Sequence, residues 1–331
     1  MRSTPLRNIE PLSFDDAIDM PSITAAYCAM RRRRMLVKGV TAALLAAGIT
    51  TVGFPLALQW QSDLQVTGTV NTAARRVAGW PYPNVKEAIK KARDYNASLA
   101  SSGQPILGEA EDPFASIQGN AKALKEDSAA SHDTEYQALL DSGAGIMGSI
   151  RIPGISVKLP IYHGTSEEAL ASGAGHLYGT SLPVGGKSTH AVITGHRGLV
   201  SALMFTRLDE MKQGDFFYIE VMNETLGYEV DNISVIAPSD VSRLTIRKGE
   251  DRVTLMTCTP YGINTQRLLV SGHRAAIPDP APDPSDLRDA RNIAIAAAGT
   301  TMLCGFVPIA AERMWKARKT VWARHSSGRM L

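Results

Sequence analysis

Cys258 is a candidate nucleophile because it ends an apolar run, RVTLMTC, and is followed by the loop sequence TPYGIN. The sequence holds 3 cysteines. Of the other two, Cys28 precedes the first of two long uncharged segments, and Cys304 lies within the second. Cys258 therefore has no expected disulfide partner, and such a thiol is either a small buried hydrophobe or a nucleophile. Its place at the end of a predicted strand, where we expect a substrate to reach it, favours the nucleophile.

A thiolate nucleophile needs a proton partner and a donor for the oxyanion of the tetrahedral intermediate. Arg267 lies nine residues after Cys258, at the start of the apolar run QRLLVSGHR, and a tight turn would bring its guanidinium beside the sulfur. His196 follows the run HAVITG and opens the turn GHRG, a position that presents an imidazole to a cleft, although a single histidine is more often a surface or core residue. The histidines between the two uncharged segments are His132, His163, His176, His190, His196 and His273.

Composition restricts the class of protein. A chain of 331 residues with 44% hydrophobic and 20% charged residues can form one large or two small domains, which excludes wholesale disorder. A net charge of +3 and 6% aromatic residues argue against a dedicated nucleic-acid binder. The sequence has no GxxxxGKS loop, no CxxC pair and no acidic cluster, so we expect no metal and no cofactor.

Two uncharged segments are long enough to cross a bilayer. Residues 39–58 and 293–311 hold 20 and 19 uncharged residues, enough at about 1.5 Å per residue for a hydrocarbon core of about 30 Å. Residues 1–40 carry seven Lys and Arg against four Asp and Glu, and residues 311–331 carry six against one. The positive-inside rule therefore predicts two cytoplasmic tails and an exported middle. The alternative for the first segment is a cleaved signal peptide, and the alternative for the second is a buried core helix.

The exported middle is predicted to begin with helix and to continue as strands. From residue 148 to 274, short runs rich in β-branched residues alternate with turn residues, which predicts a β-barrel or sandwich. A short helix at residues 201–211 is expected to be its main interruption. The preceding helix should start at Pro83 and Asn84, with one face formed by Val85, Ala88, Ile89, Ala92 and Tyr95.

At residues 190–199 and 254–274 the sequence resembles the sortases, transpeptidases of the Gram-positive cell surface. The stretch TLMTCTPYGINTQRLLVSGHR is similar to the family signature TLxTCTPYGxNxxRLLVxGxR, and HAVITGHRGL is similar to its TGHRGL segment. The resemblance implies that Cys258 is the nucleophile, His196 the acid and base, and Arg267 the cation that stabilises the transition state. It also implies a mostly β fold, the sortase eight-stranded β-barrel with short helices, flanked here by two transmembrane helices.

The resemblance extends to the class C, pilus-assembling sortases, which carry a lid with a DPF or DPW motif. Asp112, Pro113 and Phe114 form a DPF sequence in a loop ahead of the barrel. As a lid, Phe114 would shield the thiol and Asp112 would pair with a cation such as Arg267. The alternative is an ordinary Asp-Pro turn with Phe114 packed on the barrel.

A class C sortase would cleave an LPxTG-like sorting signal, form a thioacyl-enzyme and join pilin subunits through a lysine amine. The alternatives are a housekeeping sortase that anchors surface proteins to peptidoglycan and a non-catalytic, membrane-tethered binding module. The expected partners are LPxTG-bearing pilin or surface proteins and the lipid bilayer, without nucleic acid. The expected location is the cell membrane, with an extracellular catalytic domain and cytoplasmic termini.

The predicted organisation has eight segments. In chain order they are a cytoplasmic tail (1–38), a transmembrane helix (39–58), a juxtamembrane helical segment (59–101), the lid loop (102–131), the catalytic barrel (132–276), a Pro-rich spacer (277–292), a second transmembrane helix (293–311) and a basic cytoplasmic tail (312–331).

Overall fold

Eight strands close into a barrel in the computed structural model, which describes residues 20–80, 84–104, 129–199 and 202–277. The strands are β1 (Ile146–Ile152), β2 (Val157–His163), β3 (Ala174–His176), β4 (Thr189–Thr194), β5 (Phe216–Val221), β6 (Glu224–Ile236), β7 (Asp251–Thr259) and β8 (Gln266–Ala275). Neighbours follow the order β1-β2-β3-β4-β7-β8-β6-β5, and β5 pairs with β1. β2 pairs with β3, and β4 with β7, in parallel. The expected eight-stranded, mostly β barrel is therefore confirmed.

The helices of the described residues precede the barrel or connect its strands. They are α1 (Met20–Ala78), α2 (Asn84–Ser102), α3 (Ala129–His132), α4 (Thr134–Ala138) and α5 (Glu167–Ser172), with 3-10 helices at Pro153–Ile155, Leu208–Glu210 and Ser242–Leu244. Two of the short helices are capped by side chains, because Asp133 accepts from the Tyr136 amide before α4 and Ser166 accepts from the Ala169 amide before α5.

The first predicted span lies within α1, which is longer than the apolar segment. By length and composition α1 can cross a membrane, and its most apolar stretch is not buried against protein. The chain divides into two units, residues 1–60 and 61–331. Within the second unit, the last turns of α1 bury Val70, Ala73 and Val77.

Alternating side chains of the central strands divide between two hydrophobic clusters. On β7, Val253 and Leu255 belong to the main core, while Met256 and Cys258 belong to a second cluster. β8 repeats the pattern, with Leu268 in the core. Because successive side chains of a strand point to opposite faces, the second cluster lies on the outer face of the barrel. It consists of Leu170, Leu177, Val192, Ile236, Leu244, Met256, Cys258 and Leu269.

The predicted helix that starts at Asn84 is present as α2. Ile89 and Ala92 are buried, and Val85, Ala88 and Tyr95 pack against the core, which agrees with the predicted apolar face. Asn96 adds a polar contact, because its side chain donates to the Leu182 carbonyl at 3.0 Å and accepts from the Leu182 amide at 2.7 Å.

The helix predicted at residues 201–211 is wrong for most of its length, since the described part holds only the 3-10 turn Leu208–Glu210. The Phe205 amide donates to the distant His196 carbonyl at 3.0 Å, and Met204 has a φ of 42°, so this backbone cannot continue a helix. The DPF residues, the second predicted span and the basic tail lie outside the described residues, as does all but the first residue of the spacer.

Candidate active site

Three adjacent strands bring the predicted catalytic residues to one end of the barrel. β4 and β7 are parallel, with Thr194 opposite Met256, so His196 and Cys258 each lie two residues beyond this pair. β7 and β8 are antiparallel, with Cys258 directly opposite Arg267. Directly paired residues have Cα atoms about 4.5 to 5.5 Å apart and side chains on the same face. The proposed nucleophile, acid and cation therefore lie at the same end of the barrel.

The Arg267 guanidinium is held by two backbone carbonyls, one in the loop between β7 and β8 and one in the first residue of β8. Its Nη1 donates to the carbonyl oxygens of Asn264 at 2.9 Å and Gln266 at 2.8 Å. Gly262 and Asn264 have φ values of 75° and 61°, which turns the chain sharply between the strands. The connection, residues 260–265, is longer than the tight turn expected between Cys258 and Arg267, and its Asn264 carbonyl helps to orient the cation.

The His196 imidazole is buried beside a carboxylate from a different part of the barrel. Its Nε2 lies 3.8 Å from Oε1 of Glu167, the first residue of α5, whose side chain is 54% exposed. Burial lowers the pKa of His196 below its usual value, and the Glu167 charge raises it in part. Protein burial thus favours the neutral imidazole, and Glu167 favours the imidazolium.

The other histidines of the barrel have structural partners elsewhere. The His176 ring lies 2.9 Å from the Tyr136 hydroxyl and 2.8 Å from the Ser181 carbonyl, and burial lowers its pKa to about 4. His190 pairs with Arg252, six residues before Cys258 on β7, which places it about 20 Å along the strand. His163 contacts two backbone carbonyls, and His273 contacts Asp231. His196 is the one at the strand end beside Cys258.

All three proposed catalytic side chains are almost completely buried. The exposed fractions are 0% for Cys258 and 1% each for His196 and Arg267. A substrate cannot reach the thiol in this conformation, contrary to the expectation from its strand-end position. The reason is that Cys258 faces the second cluster, where Leu170, Leu177 and Leu244 come from connections outside β7 and β8.

Two residues near the site were not predicted from the sequence. Glu167 contacts His196, and the only local signal was a Ser followed by two Glu, which indicates a helix start. Arg197 donates to the Cys258 carbonyl at 3.4 Å, and its only signal was its place in the TGHRGL segment. Within the described ranges, no three His, Cys, Asp or Glu side chains are grouped to hold a metal ion.

Comparison with known proteins assigns the family. The family model for the Sortase domain matches residues 150–275. Sortase A of Staphylococcus aureus is 32% identical over 162 residues, which cover 47% of this chain and 76% of that protein. The chain therefore belongs to the sortase family. It spans only 51% to 63% of the length of three other curated sortases that it matches.

Solved structures of sortases C share the fold. Sortase C1 of GBS pilus island 1 has 42% sequence identity and a TM-score of 0.52, and the match covers 64% of this chain and 92% of that one. Sortase C of Streptococcus pneumoniae has 39% identity and a TM-score of 0.52, covering 63% of this chain and 97% of that one. The family match, residues 150–275, includes Cys258, His196 and Arg267 and all eight strands except the first residues of β1.

We expect the substitution Glu167→Gln to lower the pKa of His196 further, because it removes the carboxylate that favours the imidazolium. The imidazole should then lose its proton at a lower pH than in wild type. The measurement is an NMR titration of His196 in histidine-labelled full-length protein, with the signal assigned by its loss in His196→Asn. Glu168→Gln is the matched control, and equal titration of both variants and wild type would contradict the assignment.

Proposed function

We propose that this protein is a cysteine transpeptidase of the pilus-assembling class. It cleaves an LPxTG-like sorting signal between Thr and Gly and joins the acyl group to a lysine amine of a pilin. Cys258 is the nucleophile, His196 the acid and base, and Arg267 the cation that meets the oxyanion. The observation that carries the proposal is the strand pairing, which places Cys258 opposite Arg267 and ends β4 beside them, two residues before His196.

In the first half-reaction, the Cys258 thiolate attacks the carbonyl carbon of the threonine. The oxyanion that forms is stabilised by guanidinium N–H donors of Arg267, whose position is set by the Asn264 and Gln266 carbonyls. As the carbon–nitrogen bond breaks, the His196 imidazolium gives its proton to the glycine nitrogen. The glycine amine leaves, and the threonine remains as a thioester on the sulfur.

In the second half-reaction, a neutral lysine amine attacks the thioester carbon. The now neutral His196 imidazole takes a proton from the attacking nitrogen, and the tetrahedral intermediate is again stabilised by Arg267. The carbon–sulfur bond breaks, which restores the thiolate and the imidazolium and leaves an isopeptide bond. A buried site supports this chemistry because fixed charges act more strongly where water is excluded.

The choice of pilin as acceptor is supported by the solved relatives. One is a sortase C1 of a pilus island, and the S. pneumoniae structure is described as informative about pilin substrate specificity. The DPF sequence at residues 112–114 adds a motif of the class C family. A housekeeping sortase would instead transfer the acyl group to a peptidoglycan precursor.

We expect Cys258→Ala to abolish cleavage of an LPxTG peptide by the full-length protein in detergent micelles, because the thioester then cannot form. Cys28→Ala is the matched control. Cys28 is an exposed free thiol far from Cys258 in the sequence, so it should be dispensable. Mass spectrometry should find the acyl group on Cys258, and a lysine-bearing pilin peptide should release it as an isopeptide. Absence of an acyl-enzyme, or its release only by a peptidoglycan amine, would contradict the proposal.

We also propose that residues 112–114 act as a lid over Cys258. The support for a lid is the DPF sequence ahead of the barrel, a motif of the class C family. The proposed lid would use Phe114 to shield the sulfur and Asp112 to pair with Arg267. A substrate would then bind only the fraction of molecules that is open, which weakens its apparent affinity by that fraction.

If the lid proposal is right, replacing Asp112 and Phe114 with Ala should speed alkylation of Cys258 and cleavage of the sorting peptide. Without the lid contacts, a larger fraction of the molecules should be in the open state, which admits the alkylating reagent and the peptide. Alkylation is read at the Cys258 peptide by mass spectrometry, which separates it from Cys28 and Cys304. A double mutant that is folded but alkylated at the wild-type rate would reject the lid and leave the catalytic assignment unaffected.

For membrane topology, we propose two spans, residues 39–58 and 293–311, with the catalytic barrel outside and both termini in the cytoplasm. The apolar part of α1 and the positive residues that flank both segments support this arrangement. The proposed segments keep their predicted boundaries, with residues 59–101 as a juxtamembrane helical segment, 132–276 as the catalytic barrel and 277–292 as a Pro-rich tether.

On intact cells, a tag at either terminus should resist external protease, whereas a protease site placed in the PDPAPDP sequence at residues 278–284 should be cut. The two results follow from the proposed sidedness, because the membrane shields only the cytoplasmic tails. Immunoblots of protease-treated cells give the readout, and permeabilised cells serve as the control. External cleavage of the C-terminal tag would reject the second span.

A further inference from the structure

Arg197 crosses between the two strand ends that carry His196 and Cys258. The ladder between β4 and β7 pairs Thr194 with Met256, and the Gly195 amide donates to the Met256 carbonyl at 3.1 Å. Beyond that bond, the His196 carbonyl turns away from β7 and accepts from the Phe205 amide at 3.0 Å. The proposed acid and nucleophile thus lie past the part where β4 and β7 are paired with each other, so side chains must fix their separation.

The Arg197 side chain supplies such a connection. Its Nη1 donates to the Thr259 hydroxyl at 3.1 Å and to the Cys258 carbonyl at 3.4 Å. Its backbone directly follows His196, so one residue connects the histidine turn with the residue that carries the sulfur. The Thr257 hydroxyl makes a second connection, because it donates to the Gly195 carbonyl at 2.7 Å.

The Arg197 guanidinium also contacts an acidic side chain and an aromatic ring. Its Nη2 lies 2.6 Å from Oδ2 of Asp209, and its central carbon lies 5.8 Å from the centre of the Tyr261 ring. The arginine side chain is only 7% exposed. A planar guanidinium with partners on several sides has little rotational freedom, so it holds its partners at fixed distances. This is more than an exposed surface ion pair provides.

We propose that Arg197 is a positioning residue of the transpeptidase: it sets the separation and orientation of His196 and Cys258 without contacting the substrate. The inference rests on the proposed function. It assigns to Arg197 a role distinct from that of Arg267, which faces the reacting carbonyl in the proposed mechanism. A displacement of about 1 Å between reacting groups can cost about 100-fold in rate, so even a partial loss of this connection should be measurable.

The test compares Arg197→Gln with Arg207→Gln in the full-length protein. Arg207 is a close match, because it is 15% exposed, pairs with the half-exposed Glu210 at 2.7 Å and belongs to the same connection between β4 and β5. We expect Arg197→Gln to lower kcat about 10- to 100-fold with KM within about twofold of wild type. Arg207→Gln should leave both constants near wild type, with a similar change in Tm.

Arg197→Lys should recover only a small part of kcat, because a compact ammonium cannot hold Asp209 and Thr259 at the same time. If Arg197→Gln does not fold, Asp209→Asn loosens the guanidinium from its outer side and should show the same loss of kcat on a smaller scale. A kcat within twofold of wild type in a folded Arg197→Gln, or an equal loss in Arg207→Gln, would overturn the proposal.

A second readout needs no sorting signal, and so separates this inference from the proposed function. The pH midpoint for iodoacetamide alkylation of Cys258 depends on the cations near the thiol. It is compared between wild type and Arg197→Lys, which keeps the charge beside Cys258 but loses the fork of donors, and the proposed displacement of His196 should raise this midpoint. Peptide mass spectrometry restricts the measurement to Cys258. If wild type cleaves no sorting peptide but the midpoint still shifts, the positioning role stands while the proposed substrate fails. An unchanged midpoint would overturn the positioning role.

Discussion

The hydrogen-bonded ladder through β4, β7 and β8 is the constraint on which the site depends. Its register decides which face each side chain takes, and a slip of one residue would exchange the faces. On β7 such a slip would turn Cys258 into the barrel core and bring a threonine to the outer face. The main core stabilises the correct register, because it accepts Val253 and Leu255 only when Met256 and Cys258 point outward. Packing of apolar residues thus determines where the chemistry lies.

The site concentrates polar groups in a place that disfavours charge. Burying an arginine or an imidazolium is costly unless partners replace the lost water. Arg267 donates to two backbone carbonyls, and Arg197 forms an ion pair with Asp209. His196 lies near the Glu167 carboxylate. Asn264, Asp209 and Glu167 come from three different connections between strands. The loops around the barrel end therefore do more than link strands, since they supply the compensation that lets the charges be buried.

Much of the fold and the proximity of Cys258 to Arg267 could be predicted, because the sequence signals for them are local. The apolar runs of β7 and β8, separated by a turn, place Cys258 near Arg267 without any knowledge of distant contacts. β3 is only three residues long, too short for an alternating pattern, and the helix expected at residues 201–211 fails because the Phe205 amide bonds to His196. Likewise, the burial of Cys258 depends on Leu170, Leu177 and Leu244, which only the folded barrel brings together.

The burial of the thiol also bears on its chemical survival. Oxidation of a cysteine to sulfenic and then sulfinic acid follows its exposure and thiolate character, and the later steps are irreversible. A thiol with 0% exposure offers oxidants no access, whereas the proposed open state would admit peroxide together with substrate. In the proposed location outside the cytoplasm, where reducing systems are scarce, damage should accumulate with turnover rather than with age. Idle molecules would then act as a protected reserve of active enzyme.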